Sequence, residues 1–240
     1  APDLEAGVQG ILPGGLSALQ QLAQSFAARA LFAAVLHLQT LAVVRQQHEL
    51  VGARTRALVV ADMPFLSFQA GEDEAVRNAG RMVKEGGASA VKLEGGERVA
   101  PLVRRLVAAG IPVMGHLGLT PQSVHALGGW RAQGRTPERA RRLMEEALEL
   151  EAAGVFALVL ESIPAEVAAA VTAALQIPTI GIGAGPDCSG QVQVLHDLLG
   201  LFEEFTPRHA GHYLEAGKLI REALATYAAD VREGRFPGEA

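Results

Sequence analysis

One cysteine, one tryptophan and two tyrosines are spread over 240 residues. The lone Cys188 excludes an internal disulfide framework and any cysteine-rich zinc site. There is no excess of basic charge: 21 Lys+Arg stand against 26 Asp+Glu, for a net charge of −5, so no nucleic-acid partner is expected. The longest nearly apolar stretch, between Arg29 and Arg45, is interrupted by His37, Gln39 and Thr40. It is too short and too polar to span a bilayer, so no membrane partner is expected. The first residues, Ala-Pro-Asp-Leu-Glu, lack the basic n-region of a secretory signal. Together these absences predict a cytoplasmic protein.

What is present is core-forming material. Hydrophobic residues make up 49% of the chain, ample for a real core, and α/β barrels of this length commonly form one domain. From Arg56 onward, short β-rich runs alternate with longer amphipathic segments. The runs are Ala57–Ala61, Ala88–Leu93, Ile111–Gly115, Phe156–Leu160, Pro178–Ile182 and Gln191–Leu195. Helical patterns lie between them at Glu74–Glu85, Val99–Ala109, Pro137–Ala153 and Ala165–Leu175. Thr120 and Thr136, each followed by proline, read as N-caps, and Gly110 and Gly154 as helix-ending glycines. Repeated units of this length demand parallel strands joined by right-handed crossovers. A closed eight-stranded barrel and an open doubly wound sheet both produce such a pattern.

Residues 1–55 break the rhythm. Pro13-Gly-Gly15 interrupts a short apolar approach, and Leu16 to about Leu50 is rich in Ala, Leu and Gln and reads as one long helix or two. The organisation is therefore a single domain over 1–240. It has an atypical N-terminal region (1–55), core βα units (56–205) and a C-terminal helical segment (206–240).

Chemistry concentrates at the strand ends. Apolar runs lead into Asp62, Glu94, His116 and Glu161, and in parallel α/β folds the C-terminal ends of the strands form the chemical face. Unpaired buried charge is costly, so such a set either pairs internally, caps helices or serves a ligand. Lys92 and Glu94 are two apart in one strand and share a face. A structural ion pair is the plain reading; an anion site beside a cation is the functional one. Asp62 and Glu94 are hard oxygen donors at adjacent strand tips, suited to Mg²⁺. Glu161 leaves the most apolar strand. Partial desolvation would carry its pKa toward the range of a general base, the alternative being a cap for the helix after Pro164. His116 is a hydrogen-bond donor, a proton shuttle or a core histidine. Gly181-Ile-Gly-Ala-Gly-Pro186 has the composition of a phosphate cradle but not the dinucleotide fingerprint. The remaining histidines show no metal-ligand spacing.

Several of these segments, in fixed order, resemble the ketopantoate hydroxymethyltransferase family. They are Arg56-Ala-Leu-Val-Val-Ala-Asp-Met-Pro-Phe-Leu-Ser67, Val91-Lys-Leu-Glu-Gly-Gly96 and Pro112-Val-Met-Gly-His-Leu-Gly-Leu-Thr-Pro-Gln-Ser123. Gln133-Gly-Arg-Thr136, Ala157-Leu-Val-Leu-Glu161, Ile180-Gly-Ile-Gly-Ala-Gly185 and His196-Asp-Leu-Leu-Gly200 complete the set, so the likeness runs from about Arg56 to Gly238. The resemblance implies a (β/α)8 TIM barrel of the phosphoenolpyruvate/pyruvate type. It implies transfer of a hydroxymethyl group from 5,10-methylenetetrahydrofolate to 3-methyl-2-oxobutanoate in pantothenate biosynthesis. It also implies Mg²⁺ or another divalent cation, and a homo-oligomer, commonly a decamer in bacterial members. Carried over residue by residue, Asp62 and Glu94 match metal-site carboxylates, Glu94 directly or through water. Asp62, Lys92 and His116 match substrate contacts, and Glu161 the proton acceptor. The family's Gly-Asp-Ser-Leu-Gly segment, whose Asp is a metal ligand, is replaced here by Pro13-Gly-Gly-Leu-Ser17. A metal-dependent carbon–carbon lyase acting on 2-oxo acids and an inactive paralogue serving as an assembly subunit are the competing readings.

Overall fold

The computed structural model describes residues 57–202 and 207–238, in two units, Ala1–Val192 and Gln193–Ala240. The helical reading of Leu16–Leu50 and the Pro13-Gly-Gly-Leu-Ser17 segment lie outside the described residues.

In the first unit, six strands alternate with helices. They are β1 (Val60–Asp62), α1 (Glu72–Lys84), β2 (Ala90–Glu94), α2 (Ala100–Ala108), β3 (Val113–Gly118), α3 (Pro137–Ala153), β4 (Ala157–Glu161), α4 (Ala165–Ala174), β5 (Thr179–Ile182) and β6 (Gly190–Gln191). All pairings are parallel and the order is sequential, β1-β2-β3-β4-β5-β6. Sequential order means that every crossover steps the same way and leaves its helix on one face. A doubly wound sheet reverses its order midway and carries helices on both faces, so the open-sheet alternative is excluded. The fold is of the (β/α)8 barrel type, with six strands among the described residues.

Side-chain packing separates the two faces. Alternate residues Ala61, Val91, Leu93, Val113, Leu117, Leu158 and Leu160 join helix residues such as Ala79, Leu106, Leu150 and Val171 in one buried cluster. The other set, Val60, Ala90, Met114, Ala157, Val159 and Ile180, forms a second cluster with no helix residue in it. This second face is the barrel interior.

Local signals explain most boundaries. Thr136 accepts a hydrogen bond from the Arg139 backbone N–H at 3.3 Å with Pro137 at the first helical position, and α3 ends at Gly154 in the left-handed conformation, both as expected. Thr120 differs: it precedes a single 3₁₀ turn, Pro121–Ser123, and its side chain makes no cap bond. The sixth run is also shorter than expected. Strand pairing stops at Gln191, while Leu195–Leu198 forms a short helix, α5, in the second unit.

The second unit contains α5 and α6 (Ala216–Arg232). The expected amphipathic helix is present in α6, with Leu219, Ile220, Leu224 and Tyr227 all more than half exposed. Among the described residues no helix is long and apolar enough to cross a membrane.

Candidate active site

The interior face changes character along the strands. Towards the N-terminal ends it is apolar: Val60, Ala90, Met114, Ala157 and Ile180. Two residues later, on the same face, come Asp62, Lys92 and His116, and beyond them Glu94 and Glu161. Register completes the arrangement. Asp62 lies opposite Lys92, Glu94 opposite His116, and Gly118 opposite Glu161. All five residues expected at the strand ends are thus brought together.

Their contacts form a chain across four strands. Lys92 Nζ lies 2.9 Å from Asp62 Oδ2, 3.1 Å from His116 Nδ1 and 3.9 Å from Glu94 Oε1. His116 Nδ1 is 3.8 Å from Glu94 Oε1, and its Nε2 is 3.2 Å from Glu161 Oε2. The side chains of Asp62, Lys92, Glu94 and His116 are at most 4% exposed, whereas that of Glu161 is 16% exposed. Glu161 is the member open to an incoming ligand.

Burial has an electrostatic consequence. Desolvation raises the Glu94 pKa to about 7, against the opposing pull of Lys92 and a hydrogen bond from the Gln122 backbone N–H; Asp62 and Glu161 push it further up. That N–H donates to Glu94 Oε2 at 2.9 Å. Glu94 Oε1 is buried and makes no hydrogen bond.

The plain readings can now be weighed. Pairing does occur, through Lys92 and His116, and the N-cap of α4, Pro164, makes no side-chain cap bond. In the glycine-rich loop, Gly185 is closely packed. A Cβ on Gly185 would stand 2.4 Å from Ala165 Cβ, and the Gly185 carbonyl accepts a hydrogen bond from Gln191 Nε2 at 2.9 Å. Gln122 is the residue that sequence reasoning missed, because a backbone donor has no signature in residue type.

Asp62 and Glu94 suit a hard divalent cation in kind, being buried oxygen donors, and Glu94 Oε1 makes no hydrogen bond. They do not make a closed cage: among the described residues no group of three His, Cys, Asp or Glu has metal-site geometry. The set fits a cation completed by water and substrate.

Comparison with known proteins then bears on the whole chain. The pattern described as ketopantoate hydroxymethyltransferase matches residues 31–239, so the likeness begins upstream of Arg56, where the motifs start. A 3-methyl-2-oxobutanoate hydroxymethyltransferase of Acetivibrio thermocellus is 49% identical over 98% of this chain and 80% of its own length. The protein of that name from Moorella thermoacetica is 55% identical over 82% of this chain and 73% of its own. Among solved structures, a phosphonopyruvate hydrolase is 12% identical, covering 90% of this chain and 73% of its own, with a TM-score of 0.49. The comparisons bring no support for the lyase reading.

Proposed function

This chain belongs to the ketopantoate hydroxymethyltransferase family, and on that premise we propose how its strand-end residues act. The reaction is transfer of a hydroxymethyl group from 5,10-methylenetetrahydrofolate to 3-methyl-2-oxobutanoate, with water consumed and 2-dehydropantoate and tetrahydrofolate released. The observation that carries the residue assignment is the contact chain Asp62–Lys92–His116–Glu161, closed to solvent except at its last member.

Glu161 takes the proton from C3 of the oxo acid, so that the electron pair left on C3 can form the new bond to the one-carbon unit. Its position at the open end of the chain lets it reach substrate, while His116 Nε2 at 3.2 Å restrains the carboxylate. Lys92 places a positive charge where an anionic 2-oxo acid and the negative charge developing on it need compensation, and Asp62 at 2.9 Å holds that ammonium group in place. His116, 3.1 Å from Lys92, completes the substrate-facing surface. Asp62 and Glu94 are the residues that would hold Mg²⁺ or a similar cation. When bound, such an ion polarises the 2-oxo group and so acidifies the C3–H. We assign the protein to the cytoplasm and to a homo-oligomeric state, which the exposed apolar residues of α6 support.

Exchange of the C3 hydrogen for deuterium tests the assignment without folate. Glu161→Gln keeps the shape of the side chain and cannot accept the proton. The expected result is loss of exchange with retained binding of 3-methyl-2-oxobutanoate by calorimetry. Unchanged exchange would remove Glu161 from the role.

A further inference from the structure

Gln122 joins the tips of two strands to which it does not belong. It sits in the three-residue turn Pro121–Ser123 that follows β3. Its backbone N–H donates to Glu94 Oε2, at the end of β2, over 2.9 Å. Its side-chain Nε2 donates to the carbonyl oxygen of Met63, the residue after Asp62 in β1, over 2.7 Å. Its Oε1 accepts from Gln69 Nε2 at 3.0 Å. These partners are 28, 59 and 53 residues away in sequence.

We propose that Gln122 is a positioning residue for the transfer reaction, its side-chain amide fixing the turn so that its own backbone N–H holds Glu94. The proposal rests on the function assigned above. With Oε2 engaged by the turn, Glu94 Oε1 faces Lys92 Nζ at 3.9 Å and His116 Nδ1 at 3.8 Å, free of any hydrogen bond. A carboxylate held by one oxygen cannot rotate without breaking that bond, so the direction of Oε1 is set by where the turn sits. Within the turn the Ser123 and Val124 N–H groups donate to the Thr120 and Pro121 carbonyls at 2.9 and 3.2 Å, and Thr120 adds no side-chain cap. The bond to Met63 O ties this turn, at the position of Gln122 itself, to the tip of β1. Displacements of about 1 Å in such supports can cost on the order of a hundredfold in rate.

Gln122→Met keeps the side chain's length and removes both of its hydrogen bonds. Gln122→Glu keeps the acceptor for Gln69 but loses the donor to Met63, and so should behave like Gln122→Met. Both are expected to lower kcat about tenfold or more while KM for the 2-oxo acid changes less than about threefold. In a Glu94→Gln background, Gln122→Met should cost less than about twofold further, because the group it positions is already altered. Amide hydrogen exchange at Gln122 reports the same arrangement without turnover, and should be slow in the parent chain and at least about tenfold faster in Gln122→Met. Unchanged kcat, an equal loss in both backgrounds, or amide exchange indifferent to Gln122→Met would each overturn the proposal. If the parent chain forms no product but its Gln122 amide is protected and released as described, the transfer reading fails and the hold on Glu94 stands. If the parent turns over and the amide is unprotected, the transfer reading stands and this proposal fails.

Discussion

Gly118 closes β3 at a φ of +94°, in register with Glu161, and a Cβ built there would stand 2.2 Å from the Glu161 carbonyl oxygen and 2.8 Å from Ile163 Cγ2. Alanine at this position meets two penalties. The left-handed backbone costs about 1–2 kcal/mol. The overlap costs about 1–3 kcal/mol more, because the tip of β4 must withdraw by about 0.8 Å before the contact reaches the shortest separation real Cβ atoms show. Gly110 supplies the control, with a φ of +83° and nothing within 4 Å of its built Cβ. Gly110→Ala therefore carries the first penalty alone. With roughly 2–4 °C of melting temperature per kcal/mol in a unit of this size, the expected drops are about 4 °C for Gly110→Ala and about 10 °C for Gly118→Ala. Thermal unfolding followed by circular dichroism reads both. Deuterium exchange at C3 of the substrate should separate them further, since withdrawal of the β4 tip moves Glu161 and withdrawal of nothing leaves it in place. Equal melting temperatures for the two variants would refute the steric part of the reasoning.

The remaining predictions concern other parts of the chain. Burial raises the Cys188 thiol above its ordinary pKa of 9.0, with Thr179 and Thr172 opposing and Asp187 adding to the rise. The thiolate is the reactive form, so labelling by a thiol reagent at pH 8 should be slow in the native chain and fast in urea; equal rates would show that Cys188 is accessible. If Asp62 and Glu94 hold the cation as proposed, replacing residues 1–55 with a family-like region carrying Gly-Asp-Ser-Leu-Gly should tighten Mg²⁺ binding by roughly tenfold, or about 1.4 kcal/mol, by calorimetry. Identical affinities would mean that another group already supplies the ligand. Native mass spectrometry at micromolar concentration should show a homo-oligomer, and Leu224→Asp in the exposed face of α6 should shift it toward smaller species. A monomer in the parent chain would end that expectation.

The strand ends were legible in sequence because two periodicities coincide there. An apolar run of four or five residues stops at a charged one, and in β2 the two-residue spacing of Lys92 and Glu94 already puts them on one face. Periodicity alone did not separate barrel from open sheet, since strand order is decided by pairings such as Asp62 with Lys92, thirty residues apart in the chain; the family resemblance supplied the barrel. Thr120 misled because a threonine before a proline has the composition of a cap, while its backbone leads into a turn too short to use one. The sixth run misled for a related reason. Gln191–Leu195 has strand-like composition, but pairing with β5 ends at Gln191, and an extended Val194 begins α5. Gln122 was invisible because it holds Glu94 with its own backbone N–H and reaches the main-chain carbonyl of Met63, 59 residues away.

The alternation along β2 has a consequence for errors in folding. Val91 and Leu93 belong to the helix-facing cluster, while Lys92 and Glu94 sit among the ionisable groups of the interior. A slip of one residue in pairing with β1 or β3 would exchange these sets, driving an ammonium and a carboxylate into the layer that packs against α1 and α2. It would also strip Asp62 and His116 of the partner at 2.9 and 3.1 Å. A chain misregistered by one residue is thus penalised on both faces at once. In β2 the reactive pair acts as the strand's own proofreader against one-residue slips, because the residues that would perform the reaction are the ones that such a slip would bury among the helices.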